Sequence, residues 1–344
     1  MSGRLADAIR RGAIRLPPWW IGTGDEQLAL DSARHLHHAL PGAERLLADD
    51  VFRYYDAAFT GEFDSPLIKA PSLLPPYASL WVEGLMGATS RTPRVVGVHF
   101  ETAEWTPEDS LTHPVLAGLA ALHPKWIVSA SGYWMESGDQ PVGPVGFNFL
   151  ALDAMGRLLP GGQVGIVPDT SRTAVSDIDP TQLSRTLGSE VFMPAMFAVS
   201  LMHCKNVHVA PLPISATLLR QQARKGKPML TFSELDVRPM REAYQRLRSA
   251  GAHGLSTSGL ALHLMRGHFK TFTPDNPLFG KRVGAFWWDP IVRGHAANGV
   301  RVKDYRMHAP PTPSAPDAVR VSALPAAADP SAVTPPRADD IVTP

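Results

Sequence analysis

The sequence predicts an α+β fold: a mixed, mostly antiparallel sheet with packed helices, a basic strand-rich C-terminal module and a disordered C-terminal tail. Three observations carry this expectation. Residues 51–176 hold a series of short apolar or alternating runs, each with Gly or Pro close by, which is the strand signature. No long helical pattern recurs between those runs, so a doubly wound parallel sheet is not expected. After Met307 the composition turns to Pro, Ala, Ser and Asp, which does not support a packed core.

Residues 3–16 read as a short basic amphipathic helix with Leu5, Ile9, Ala13 and Leu16 on one side, stopped by Pro17 and Pro18. Residues 25–48 read as a longer helix. Asp25 is its cap, Leu28, Leu36, Leu40 and Leu47 follow at helical spacing, and Pro41-Gly42 is a break point. Five strands are expected next, at 79–84, 95–100, 125–130, 145–152 and 164–167, in a sheet with helices on one face. Residues 178–204 form a nearly continuous apolar helix that belongs in a core. Asp179 or Thr181 is its cap, and Pro194 is expected to kink it. A connector over 205–237 contains one strand within 207–214 and a compact basic loop, Arg224-Lys225-Gly226-Lys227-Pro228. A helix over 239–249 has Pro239 in its first turn, and 255–306 reads as strands and hairpins. The chain divides into N-terminal helices (1–50), an α+β core (51–204), the basic module (205–306) and the tail (307–344).

The 344 residues are 44% hydrophobic, enough for sizeable cores. A net charge of +1 conceals a strong asymmetry. Residues 1–217 hold 15 Lys and Arg against 22 Asp and Glu, residues 218–306 hold 16 against 6, and the tail holds 2 against 4. A segment carrying +10 attracts polyanions, of which phosphate backbones are a common kind. The competing reading is that the acidic N-terminal part docks on the basic part and neutralises it. The single cysteine, Cys204, excludes a disulfide within the chain, and a cytoplasmic, reducing location is expected. No apolar run approaches the roughly 20 residues of a membrane span, and the N-terminus lacks the apolar stretch of a secretory signal.

The densest chemistry lies at 264–307, where cations, aromatics and glycines interleave. Arg224, Lys225, Lys227, Arg266, His268, Lys270, Lys281, Arg282, Arg293, Arg301 and Lys303 are candidate contacts to phosphate, and Trp288 is a candidate stacking platform. In a strand, one of Trp287 and Trp288 must point inward. The alternative is that the aromatics are core and the cations a solvated face. His268, His295 and Tyr305 are the candidates for acid–base work in a metal-independent nuclease, though no spacing rule fixes their geometry. Cys204, between His203 and His208, invites a Cys–His pairing, but the end of a very apolar helix favours a buried structural thiol. His35, His37 and His38 lack the partners of a zinc site, so no metal and no cofactor is expected. P-loop, GxSxG and HExxH patterns are absent.

The motif order of the C-terminal half is more specific than any one motif: MHCKNV (202–207), ARKGKP (223–228), RGHFKTFT (266–273), PLFGK (277–281), the twin tryptophans, IVRG (291–294) and VKDYRM (302–307). This run resembles an uncharacterised family of proteins encoded by tailed bacteriophages, prophages and other mobile elements. The RGH segment followed by aromatics also resembles the ending of a type V anti-CRISPR family. The resemblance covers 202–307 and carries no catalytic residue with it. It implies a phage or prophage accessory protein acting in the host cytoplasm. With the basic module, the expected activity is non-enzymatic nucleic-acid binding without membrane attachment. The alternatives are a nuclease acting on RNA or DNA, and a module that engages a host or phage protein in an anti-defence role.

Overall fold

The computed structural model describes residues 5–58, 66–87, 93–106, 114–136, 139–166, 179–213, 230–236, 261–265, 267–288, 291–293 and 295–300, except positions 13, 22 and 24. It also describes positions 215, 217, 220, 221 and 224. The expected helix over 239–249 and the expected disordered tail lie outside the described residues.

The expected α+β fold is present. Eight strands form one sheet in the order β6-β5-β4-β3-β2-β1-β8-β7. β2 (Ser79–Met86), β3 (Arg94–Glu104), β4 (Trp126–Glu136), β5 (Val142–Leu152) and β6 (Leu158–Ile166) make an antiparallel meander. β1 (Glu44–Leu47) runs parallel to both β2 and β8 (Ser233–Asp236), and β7 (His208–Pro211) closes that side antiparallel to β8. The sheet is therefore mixed, with antiparallel pairs in the majority.

Helices cover both faces of this sheet, where the sequence pattern suggested one. Register assigns the faces: Trp81 lies opposite His99 and Gly97 opposite Tyr133 on one side, while Val82 lies opposite Val98 on the other. α1 (Leu5–Arg11) and α2 (Glu26–Ala39) pack Leu5, Ile9, Leu36 and Leu40 against Trp81, Tyr133 and Met135. α3 (Asp49–Ala58) and the apolar helix α6 (Met193–Met202) pack Val51, Phe52, Phe197 and Val199 against Val82, Val98 and Val128. β2 and β5 are buried at nearly every position, which is how strands read when both faces are dry.

Several expectations are corrected. The first helix ends at Arg11, because Arg15 leaves it to bridge the start of β5: its N–H donates to the Pro141 carbonyl at 2.8 Å, and its carbonyl accepts from Gly143 N–H at 3.0 Å. Residues 44–47, read as helix, are strand β1. The Pro41-Gly42 break is real, and Arg45 seals it by donating from Nη1 to the Leu40 and Pro41 carbonyls at 2.8 and 3.2 Å, occupying the open end of α2. Asp25 sits at the start of α2, but its side chain makes no capping bond. Asp179 does cap α5 (Pro180–Leu187), accepting from Thr181 N–H at 2.9 Å. α3, which begins just before residue 51, and α4 (Pro114–Ala120) are helices that the β-rich reading of 51–176 did not place. Pro194 does not kink a single helix. A π-helical turn over Gly188–Phe192 separates α5 from α6, with Met193 N–H reaching the Gly188 carbonyl, and this widened turn accommodates a proline that would clash with the carbonyl four residues before it.

α1 is fixed by one buried carboxylate. Glu83 is 1% exposed and accepts from the backbone N–H groups of Leu5 and Ala6, at 3.2 and 3.0 Å, and from Trp81 Nε1 at 3.1 Å. It satisfies the orphan donors at the start of the helix, and those donors offset the cost of burying it. The Trp81 ring reaches this position because the neighbouring strand carries Gly97, where a Cβ would stand 2.1 Å from the ring.

A polar seam runs beneath α2. Ser79 Oγ lies 2.9 Å from His99 Nε2, His35 Nε2 lies 2.7 Å from Glu101 Oε1, and Ser32 Oγ lies 3.2 Å from the Tyr133 hydroxyl. Burial pushes His99 down to about 4, with Glu101 opposing and His35 assisting that shift, and burial also lowers His203.

Replacing Glu83 by Gln turns one of its two acceptor oxygens into an NH2 that must face either the Leu5 donor or the Ala6 and Trp81 donors, and is expected to cost about 2–3 kcal/mol, read as a lower urea midpoint at unchanged slope. The folded state keeps His99 neutral while the unfolded chain binds a proton below about 6.5, so stability is full above that pH and falls as the pH drops towards 4. The loss from His99 is about 3 kcal/mol, and His99→Gln should flatten this limb of a urea-midpoint titration.

Candidate nucleic-acid interface

Residues 267–288 form a hairpin whose two faces differ in role. β10 (His268–Phe272) pairs antiparallel with β11 (Gly284–Trp288), setting Phe269 opposite Trp287, His268 opposite Trp288 and Lys270 opposite Phe286. Alternation therefore sets Phe269 and Trp287 on the inner face, and His268, Lys270, Phe286 and Trp288 on the other, where Phe286 is buried at 6% beside Phe272 while Lys270 and Trp288 are exposed. The twin tryptophans divide as the sequence required: Trp287 is 3% exposed and Trp288 36%.

The inner face is an aromatic anchor. The Trp287 ring packs edge-on against Phe269, Phe197 and Tyr54, with centroids 4.8, 5.2 and 6.2 Å away. These contacts join the hairpin to α6 and α3, each ring pair adding roughly 0.5–1.5 kcal/mol beyond its burial. Gly267 permits the approach, since a Cβ there would stand 2.3 Å from the Trp287 ring. Asn206 closes the edge of β11. Its Nδ2 donates to the Trp287 carbonyl at 2.7 Å and its Oδ1 accepts from Trp287 N–H at 2.9 Å, while Lys205 N–H donates to the Ala285 carbonyl at 2.9 Å. Three motifs far apart in sequence, MHCKNV, RGHF and the twin tryptophans, thus meet at a single residue, Trp287, the first at its backbone and the second at its ring.

The outer face carries charge and an open ring. Lys270 Nζ stands 4.4 Å from the Trp288 ring centroid, a cation–π contact. The His268 ring stacks against the same indole at 6.4 Å and an interplanar angle of 23°. Lys281 and Arg282 are exposed in the connecting loop. Among the described residues, Lys270, Lys281 and Arg282 make no ion pair, and Asp275 is the only carboxylate in the hairpin sequence.

The remaining candidates fall elsewhere. Arg224 is exposed on a helical stretch. Arg293 ends β12 (Ile291–Arg293) and His295 begins β13 (His295–Val300). Both strands flank β9 (Ala261–Met265) in a separate three-stranded sheet, where Arg293 lies opposite His263 and His295 opposite Ala261. His268 and His295, the two candidate acid–base groups, therefore sit on different sheets. Lys225, Lys227, Arg266, Arg301, Lys303 and Tyr305 lie outside the described residues.

Cys204 is buried, its Sγ 3.9 Å from the Ser200 carbonyl, and burial pushes the thiol up to about 12. His203 Nε2 donates to the Leu74 carbonyl at 2.7 Å. Cys204 is a structural thiol, held far from the thiolate form a nucleophile requires. His35, His37 and His38 are exposed on α2, and among the described residues no group of three or more His, Cys, Asp or Glu is placed to hold a metal. No helix among the described residues is long and apolar enough to cross a membrane.

Two residues of this site were not singled out from sequence. Asn206 matters through a side-chain amide aimed at a strand 81 positions away, a long-range fact without local signature. Phe279 had a legible signal: it precedes Gly280 between Pro277 and Lys281, and a residue–Gly pair between two strands marks a tight turn.

Fold and site together define an α+β protein bearing a basic aromatic hairpin. No protein-family model and no curated protein matches the chain.

Asn206→Ala should leave the edge groups of Trp287 unpartnered and lower stability by about 1–2 kcal/mol. Urea unfolding followed by tryptophan emission, to which Trp287 contributes, checks this. Asn206→Asp, which sets a carboxylate oxygen against the Trp287 carbonyl, should cost more.

Proposed function

We propose that this protein binds nucleic acid without acting on it chemically, through the outer face of the β10–β11 hairpin. The observation that carries the reading is the division of that hairpin. Its inner face is taken up by a rigid aromatic anchor, while its outer face presents Lys270 against Trp288, with Lys281 and Arg282 beside them and no acid paired to any of the three among the described residues. Lysine and arginine neutralise phosphates, and an indole offers a face to a base. A rigid support matters because ordering flexible groups on binding subtracts from affinity. The same basic segment of the sequence also holds Arg224, Arg266, Arg293, Arg301 and Lys303. The resemblance of residues 202–307 to proteins of tailed phages and prophages supports reading it as an accessory protein of such an element, acting inside the host.

The test is the salt dependence of binding by the full chain to a labelled oligonucleotide. The wild type should bind at low salt, with log K falling linearly against log salt concentration. Changing Lys270, Lys281 and Arg282 together to Gln should reduce the magnitude of that slope by about 2, roughly 0.7 for each single-strand phosphate that is no longer neutralised. An absence of binding at low salt, or an unchanged slope in the triple variant, removes the hairpin from the reading.

A further inference from the structure

The tip of the hairpin holds a residue that neither the local backbone nor the core explains. Leu278 N–H donates to the Arg282 carbonyl at 2.8 Å, and Arg282 N–H returns to the Leu278 carbonyl at 3.0 Å. Lys281 N–H also reaches the Leu278 carbonyl at 3.2 Å, closing a four-residue turn. Its two central residues, Phe279 and Gly280, have φ of 51° and 69°. Two successive left-handed residues make the primed turn that suits the twist of a hairpin, and its first position normally falls to Asn, Asp or Gly. A phenylalanine there strains the backbone, because its Cβ crowds the neighbouring carbonyl.

Strain of this kind persists in a core when burial offsets it. Phe279 is not buried: it is the most exposed of the large apolar side chains among the described residues, at 85%. The ring therefore stands in water, in an unfavourable backbone conformation, between exposed cations on one side and Leu278 on the other. A glycine would close the same turn at lower conformational cost. What the phenylalanine adds is an exposed aromatic face in a tight turn of a basic hairpin.

We infer that Phe279 is a base-stacking platform and that the hairpin takes single-stranded nucleic acid, an inference that rests on the nucleic-acid reading above. Lys281 and Arg282 follow Phe279 within the same turn and are exposed, so cations for phosphates and a ring for a base are offered side by side. Trp288, with Lys270 across it, repeats the combination of ring and cation nearer the body of the protein. Unpaired bases offer free π-faces to such rings, whereas a duplex keeps its bases stacked on one another and offers only their edges. A basic surface alone would serve for a duplex; the exposed ring is the part that needs an unpaired base.

The experiment measures binding of the full chain, by fluorescence anisotropy, to three labelled probes of equal length: oligothymidylate, the same backbone with abasic sites throughout, and a duplex. The wild type should prefer oligothymidylate to the abasic strand by more than tenfold, and Phe279→Ala should take away about a tenfold share of that preference, Trp288 keeping the rest, while leaving the abasic affinity unchanged. Phe279→Gly adds a readout independent of binding. It should lose the same share of the preference while its thermal midpoint rises above that of the wild type, because the strain is relieved.

Equal affinity for oligothymidylate and the abasic strand, with salt-dependent binding intact, overturns the stacking inference and leaves the charge-based reading standing. Tightest binding to the duplex also overturns it, as does a Phe279→Gly midpoint that falls, which would make the ring a part of the fold. Absence of binding to all three probes at low salt defeats the underlying reading. Phe279-dependent binding to phosphatidylserine vesicles in that case would assign the tip to a lipid surface instead.

Discussion

The central strands of the sheet bury both of their faces, and that constraint organises the rest of the molecule. A strand dry on one side can be roofed by a single helical layer, but β2 and β5 need two. The N-terminal helices serve one face and the α3–α6 layer the other. Each roof is located by a specific contact as well as by apolar area. On the first it is the Glu83 carboxylate at the start of α1, reached by two backbone donors and an indole. On the second it is Phe52 of α3 closing on Gly84 of β2, where a Cβ would stand 2.4 Å from its ring; the ring cluster of Phe197, Tyr54, Phe269 and Trp287 then carries the hairpin on that layer. Apolar burial is non-directional and supplies most of the driving force; these contacts decide which arrangement of the layers is adopted.

The sequence was legible where a pattern is local and repeats. The strands at 79–84, 95–100 and 145–152 announce themselves by apolar runs, α6 by an almost unbroken apolar series, and the division of Trp287 from Trp288 by the alternation any strand imposes. It was least legible where an element is short or its meaning lies across the sheet. β1 is four residues long, too few to show a period, and its Leu46 and Leu47 continue the helical spacing of α2. Helices on both faces follow from which residues of β2–β5 are covered, a property of packing that no single strand declares. Within the site, the cations and aromatics of the hairpin could be named from sequence. Their assignment to an inner and an outer face depended on register, and Asn206 on a side-chain contact 81 positions away that composition does not carry, whereas the turn at Phe279 was legible in its Phe-Gly pair.

The hairpin separates two demands that often conflict. A surface that grips a ligand through long side chains profits from a stiff base, yet stiffness comes from burying rings that would otherwise meet the ligand. The alternation of a strand resolves this within adjacent residues: Trp287 is buried in the anchor and Trp288 faces outward with Lys270 above it. The same two-residue period places His268 on the outer side and Phe269 on the core side.

The Asn206 clamp has a consequence for how molecules of this protein meet one another. A two-stranded ribbon ordinarily leaves an unpaired row of backbone groups along its flank, an invitation for another chain to add a strand and for copies to associate edge to edge. On the β11 flank three groups of that row are already occupied. The carboxamide of Asn206 reproduces the donor and acceptor of a peptide unit at Trp287, and the Lys205 amide takes the carbonyl at Ala285. An exposed basic aromatic hairpin thus presents side chains to the outside while withholding this edge from self-association, and a side chain fills the role that other sheets assign to a whole neighbouring strand.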